Sequence, residues 1–256
     1  MDYNYHTHTV RCGHASGSEE EYVIRAIENG IKYMGFSDHI PLKFPDGKES
    51  GHRIPVCDGR AYCDEIKALA EKYKDKIEIK VGFEMEYYPE YFERTLKEAK
   101  EYGAEYLILG QHYIKPENTG VFPTIKQNES VEELKEYVST LISAMKTGVF
   151  TYVAHPDIFN FVGDTEVYKE ECKRLCEASK SLDIPLEINF LGIRSTRNYP
   201  NDIFWQIVGE AGAPVTFGFD AHDTQNAYDG ESLIYASEMV KKFSLNYIGK
   251  PQIVTI

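Results

Sequence analysis

No apolar run in this chain reaches the ~18 residues that a membrane-spanning helix needs, so a helical membrane protein is excluded. Cations are also scarce: 28 Lys and Arg stand against 41 Asp and Glu, a net charge of −13. Affinity for a long nucleic acid rests on cationic contacts to phosphates, and this balance disfavours it. A small anion stays open as a partner, because bound divalent cations would reverse the local field. The five cysteines are odd in number and lack a disulfide-scaffold spacing, and Cys172 and Cys176, one helical turn apart, read as buried reduced thiols. No basic region followed by an apolar stretch precedes the first predicted strand, which leads to the expectation of a cytoplasmic protein. Neither a repeat nor a linker divides the chain, so residues 1–256 are expected to form a single domain.

What the chain does contain is an alternation of short apolar strands with amphipathic helices, the pattern of a parallel α/β fold. Strands are expected at 3–5, 33–37, 77–84, 106–110, 151–154, 185–189 and 214–220. Helices are expected between them, two of them opened by capping boxes, Ser18 with Glu21 and Ser130 with Glu133. The segment from Pro41 to Gly59 is too long and polar for an ordinary connection and reads as a lid or substrate loop.

The chemistry lies where the strands run out. His6 and His8 follow the first strand, with His14 shortly after, and His39 follows the second. Glu84 closes the third strand, His112 and His155 follow the fourth and fifth, and Asp220 closes the seventh with His222 just after it. In parallel α/β folds the carboxyl ends of the strands line one mouth, which is where such folds keep their sites. Of the 8 histidines only His52 falls outside this set. Packing alone gives no reason for that distribution. Imidazole with carboxylate oxygen suits zinc, manganese or iron better than magnesium or calcium. So many donors oversupply a single ion, since a catalytic zinc usually takes three protein ligands. A metal cluster is expected.

This arrangement resembles the PHP (polymerase and histidinol phosphatase) family, in its histidinol-phosphate phosphatase branch. The residues that carry the resemblance are His6-Thr-His8 with Cys12-Gly-His14, Ser37-Asp-His39, Gly82-Phe-Glu84, His112, His155 and Phe219-Asp-Ala-His222. The resemblance implies a distorted (β/α)7 barrel with a trinuclear site at the carboxyl-terminal ends of its strands. It implies that His6, His8, Glu84 and Asp220 hold one metal and that Glu84, His112 and His155 hold a second. His14, His39 and His222 would then hold the third.

The activity so implied is hydrolysis of a small phosphate monoester. L-histidinol phosphate, cleaved to L-histidinol and phosphate in histidine biosynthesis, comes first, with attack by a metal-bridging hydroxide. Zinc, manganese or iron ions, about three in all, are the expected cofactors, and further copies of the chain, in a homo-oligomer, are among the partners considered. For the phosphate, Arg194 in Asn189-Phe-Leu-Gly-Ile-Arg194 is the leading cation, ahead of Arg197 and Arg53. Glu86 is a candidate contact for a substrate amine or a partner of the ligands. His52 is a further candidate for the pocket, though it reads more readily as an exposed loop side chain. Asp157, Asp38 and Asp223 are candidate proton donors, or partners that orient the imidazoles. Cys12 reads as packing. Where the branch places a basic residue after the fifth-strand histidine this chain has Asn160, which leaves room for another ester, such as a nucleotide or sugar phosphate. An amidohydrolase would want a metal-bridging lysine on a middle strand, and here that place holds Glu84. A non-catalytic metal-binding module is the alternative from another class, and it predicts a closed, fully ligated site.

Overall fold

The computed structural model describes all 256 residues. Parallel strands need a long return connection, and this chain supplies a helix in every one of them. β1 (Tyr3–Asn4), β2 (Tyr33–His39), β3 (Glu78–Met85) and β4 (Tyr106–Leu109) are separated by α1 (Glu19–Glu28), α2 (Gly59–Tyr73) and α3 (Phe92–Tyr102). The order continues with α4 (Val131–Met145), β5 (Phe150–Val153), α5 (Thr165–Leu182) and β6 (Leu186–Asn189). It ends with α6 (Phe190–Arg194), α7 (Asp202–Ala211), β7 (Pro214–Gly218), α8 (Gly230–Lys242) and β8 (Asn246–Tyr247). The strands form one parallel sheet in chain order. No helix is long and apolar enough to cross a membrane.

The sheet curls until its ends meet at the carboxyl rim. Thr7 bridges Ala221 in parallel, the His8 amide donates to the Ala221 carbonyl at 2.9 Å, and Phe219 N donates to Asn4 Oδ1 at 2.9 Å. The expected barrel topology is therefore present, with an eighth strand added. β8 pairs with the amino end of β7, Pro214 opposite Asn246, and is too short to leave a periodic signal in the sequence. Along β4 the side chains alternate as a strand requires. Leu107 and Leu109 join the large core under the helices, whereas Tyr106 and Ile108 pack with Tyr3, Tyr5, Tyr152 and Ala154 in a separate cluster.

The Ser18 capping box forms as expected, with Ser18 N donating to Glu21 Oε2 at 2.7 Å and Glu21 N to Ser18 Oγ at 3.4 Å. The one expected at α4 forms only by half. Ser130 Oγ accepts from Glu133 N, but Ser130 N donates to Asn128 Oδ1 at 2.7 Å, so no proton is left for Glu133. No helix is expected at α6, a single turn capped by Asn189 Oδ1, which accepts from Gly192 N.

Candidate metal centre

The curl brings every strand-end candidate to one mouth. His6, His8, His39, Glu84, His155 and Asp220 are buried, His112 and His222 half-buried, and His14 exposed. Two glycines make the crowding possible. A Cβ at Gly110 would lie 1.9 Å from Glu84 Oε1, and one at Gly218 would lie 1.7 Å from Glu187 Oε1.

The donor atoms converge without satisfying one another. His6 Nε2, His8 Nε2, His39 Nδ1, Glu84 Oε2 and Asp220 Oδ1 are all buried and lack a hydrogen-bond partner. Orphaned buried polar atoms are costly, so a group of them facing each other needs a ligand to explain it. From His8 Nε2 it is 3.2 Å to Asp220 Oδ1 and 3.4 Å to Glu84 Oε2; from His6 Nε2 the same oxygens lie at 3.6 and 3.5 Å. Ligands ~2.1 Å from a tetrahedral metal stand ~3.4 Å apart, so this quartet fits a divalent transition metal. Glu84 Oε1 faces the other way, 3.5 Å from His112 Nε2 and 2.7 Å from His155 Nε2. His14, His39 and His222 form a third group with donors within 4.8 Å of one another. His39 is shared ground, since its Nδ1 also lies 3.3 Å from Glu84 Oε2.

The electrostatics fit a cation cradle. Burial would raise the Glu84 and Asp220 carboxyls, but the surrounding imidazoles hold both well below the usual carboxylate range. Burial likewise works against a charged His6, yet Glu187, Asp220 and Glu84 push its imidazole up to about 10. At His39 burial wins, and the imidazole stays well below its ordinary value.

Three carboxylates stand behind the imidazoles. Glu187 Oε1 lies 2.8 Å from His6 Nδ1, Asp38 Oδ1 lies 3.2 Å from His8 Nδ1, and Glu86 Oε1 lies 2.9 Å from His112 Nδ1. Such partners fix the tautomer that turns the other ring nitrogen outward as a donor. Glu187 was missed in the sequence; its only trace there is a carboxylate inside an apolar strand. Its Oε2 also accepts from His155 N at 3.0 Å, where the backbone has φ 31°. Asp220 is the other ligand candidate with a positive φ, 48°, and such non-glycine residues need support from their surroundings.

That support comes from Arg194. Its Nη1 donates to Phe219 O at 2.5 Å and its Nη2 to Asp220 O at 2.6 Å, with Asp229 Oδ2 at 3.4 Å from Nη1. The expected phosphate fork is thus turned onto the backbone that carries Asp220, where the Phe219 and Asp220 carbonyls accept from it. Arg53 is buried in ion pairs with Glu86 and Glu117 and does not face the pocket. Glu86 is engaged by Arg53 and His112, which hold its carboxyl at about 2 against burial, and it is not part of the pocket wall where a substrate amine would lie.

Arg197 does line the pocket, a cleft of about 300 Å³ whose walls include His8, Glu84, His112, Tyr113, Tyr199 and Asp220. His52 lines it too, half-buried, with Nδ1 2.7 Å from Ser50 Oγ, rather than hanging from an exposed loop. None of the three candidate proton donors is part of that wall. Asp157 Oδ2 accepts from Asn201 N at 2.7 Å and Trp205 Nε1 at 3.0 Å; burial raises its carboxyl to about 7. Asp223 caps the 3-10 turn Thr224–Ala227, accepting from Asn226 N. Asp38 is occupied by His8, Thr9 and His39 N. Cys12 is buried and donates to Thr9 O at 3.1 Å, as packing requires, although its sulfur also comes within ligand range of His8 and His222.

Residues 4–190 match the PHP domain family. The chain belongs to the PHP domain family. The match covers the donors from His6 to His155, and Asp220 and His222 lie beyond it. Curated relatives include the histidinol-phosphatase of Lactococcus lactis, 24% identical over 260 residues, covering 94% of this chain and 90% of that one. The histidinol-phosphatase of Bacillus subtilis is 24% identical over 261 residues, with 88% and 96% covered. Among solved structures, the L. lactis histidinol phosphate phosphatase in complex with zinc, L-histidinol and phosphate overlays with a TM-score of 0.71. That pair shares 19% identity, with 96% of this chain and 95% of that one covered. The fold shared with that structure therefore extends past residue 190.

Proposed function

We propose that this PHP-family chain is a metal-dependent phosphatase whose substrate is a small phosphate monoester, L-histidinol phosphate, released as L-histidinol and phosphate. The observation that carries the reading is the convergence of buried, unpartnered His, Glu and Asp donors beneath an open pocket. A closed structural metal site would have no such pocket above it, which speaks against a non-catalytic module. The substrate assignment draws on the curated relatives and on the ligands bound in the L. lactis enzyme.

In this reading His6, His8, Glu84 and Asp220 hold one divalent ion, and Glu84, His112 and His155 a second. His14, His39 and His222 hold the third. Bound there, such ions polarise phosphoryl oxygens and lower the pKa of water toward ~7. The chain's own groups do the rest. Arg197 is the pocket cation and takes the place of Arg194 as partner of the phosphate, while His52 and Tyr113, their ring centroids 5.5 Å apart, also line the pocket and are assigned to the leaving group. Arg194 and Glu187 act from behind, holding Asp220 and His155 in their left-handed backbone conformations. Metal analysis of the purified protein, beside a phosphatase screen containing L-histidinol phosphate, nucleotide and sugar phosphates, tests the proposal. About three equivalents of zinc, manganese or iron and a preference for L-histidinol phosphate are expected. A preference for a nucleotide or sugar phosphate would move the substrate and keep the enzyme class. Asn160 favours that second reading, since its Nδ2 is engaged with Ile125 O and brings no charge to the pocket.

A further inference from the structure

Arg53 is charged, belongs to the long segment after β2, and is nonetheless buried. Its Nη1 lies 2.7 Å from Glu86 Oε2 and its Nε 2.6 Å from Glu117 Oε1, while Nη1 also reaches Ile40 O at 3.4 Å. Glu86 follows β3 and holds His112 Nδ1 through its other oxygen. Glu117 begins the 3-10 turn Glu117–Thr119, in the loop that leaves His112. One guanidinium therefore ties the 41–59 segment to the His112 loop and to the carboxylate that orients His112. The guanidinium meets Glu86 and Glu117 from two separate nitrogens, a spread that the single nitrogen of lysine does not reproduce. Removing the cation would leave two buried carboxylates unbalanced, which is far costlier than losing an exposed pair.

We propose that Arg53 is a positioning residue that couples seating of the 41–59 segment to metal binding at the Glu84, His112 and His155 position. The inference rests on the metal reading of the centre given above. Because binding linkage is reciprocal, metal at that position should hold the segment down, and the seated segment should tighten the metal. The segment also carries His52, so the same tie places a pocket wall.

Hydrogen exchange of residues 41–59, compared between metal-stripped and zinc-reconstituted protein, tests this together with chelator competition for zinc. In the wild type, zinc is expected to slow exchange in the segment at least ~10-fold, a shift within the usual range of coupling energies. Arg53→Lys should abolish that slowing and weaken one zinc equivalent by ~10–100-fold while the others stay. Glu117→Gln should loosen the segment with a smaller effect on zinc. If Arg53→Lys fails to fold, Glu86→Gln serves instead. Its amide oxygen can still accept from His112 Nδ1 but no longer pairs with the guanidinium, and the same two losses are expected. Zinc uptake by the wild type with no change in exchange, or a folded variant that binds every equivalent normally, would overturn the coupling alone. A wild type that takes up no zinc would overturn the metal reading and the coupling with it.

Discussion

The imidazoles at the floor of the pocket and those at its rim are held by different means. On the floor, His6 and His8 are buried, and their Nδ1 atoms rest on the carboxylates Glu187 and Asp38. At the rim, His14 Nδ1 lies 2.9 Å from the Cys12 carbonyl, and His222 Nδ1 lies 3.2 Å from both the Asp220 carbonyl and Asp220 Oδ1, an oxygen that also faces the floor imidazoles. A carboxylate partner raises the basicity of a ligand and locks its orientation, whereas a carbonyl mainly selects the tautomer. The floor is also dry, so its charges interact strongly, while solvent screens the rim. A centre built this way should hold its metals with unequal strength.

Glu84→Ala breaks the comparison most severely, because Oε2 serves the floor quartet and Oε1 faces His112 and His155. Two metal positions should be lost together, with a fall in kcat/KM of ~10³-fold or more, about 4 kcal/mol. Metal analysis beside the assay checks this; a variant that keeps its full metal content would show that Glu84 bridges nothing.

Glu187→Gln sharpens the comparison from behind the ligands. The amide keeps the size that Gly218 accommodates and removes the charge that supports His6. Zinc affinity of the floor position should fall by ~10–100-fold, the usual cost of losing such a partner. Chelator competition measures it, and equal weakening of floor and rim would contradict the division drawn here.

Arg197→Ala separates both regions from the wall above them. Arg197 lines the pocket and donates to Tyr199 Oη at 2.8 Å, and it is no part of the donor groups. The variant should keep its metals and lose kcat/KM by ~10²-fold, about 2.7 kcal/mol. Arg194→Ala should instead weaken the metal at Asp220, since its donors hold that residue's backbone.

The floor and its ligands were legible in the sequence because a strand end is a fixed place. Once β2, β3 and β4 are recognised, His39, Glu84 and His112 must share a mouth, whatever the loops do. Arg194 shows where that reasoning stops. Its place after β6 could be read, but its direction depends on α6, a single turn fixed by an Asn189 cap and by carbonyls about 25 residues away in the chain. Glu187 hid for the opposite reason. It sits within β6, where a lone carboxylate carries no motif, and its meaning appears only when Gly218 and His6 are brought against it. Arg53 was visible as a cation in a polar segment, yet its burial between Glu86 and Glu117 joins three loops whose meeting no local pattern encodes.

The rim gives the smallest expected effect. His14 is exposed, lies just beyond the 3-10 turn Val10–Cys12 and Gly13, and has no carboxylate behind it. An exposed ligand pays little desolvation when its metal leaves, and water can replace it in the coordination shell. In a chelator titration of the wild-type protein, the equivalent held by His14, His39 and His222 should therefore leave first. His14→Ala should remove that equivalent alone and lower kcat/KM by ~10-fold, about 1.4 kcal/mol. The floor metals should bind as before, since His6, His8 and Asp220 keep their partners in Glu187, Asp38 and Arg194. Loss of floor metal in the His14 variant would mean that the rim braces the floor, and the two regions would then have to be treated as one cooperative centre.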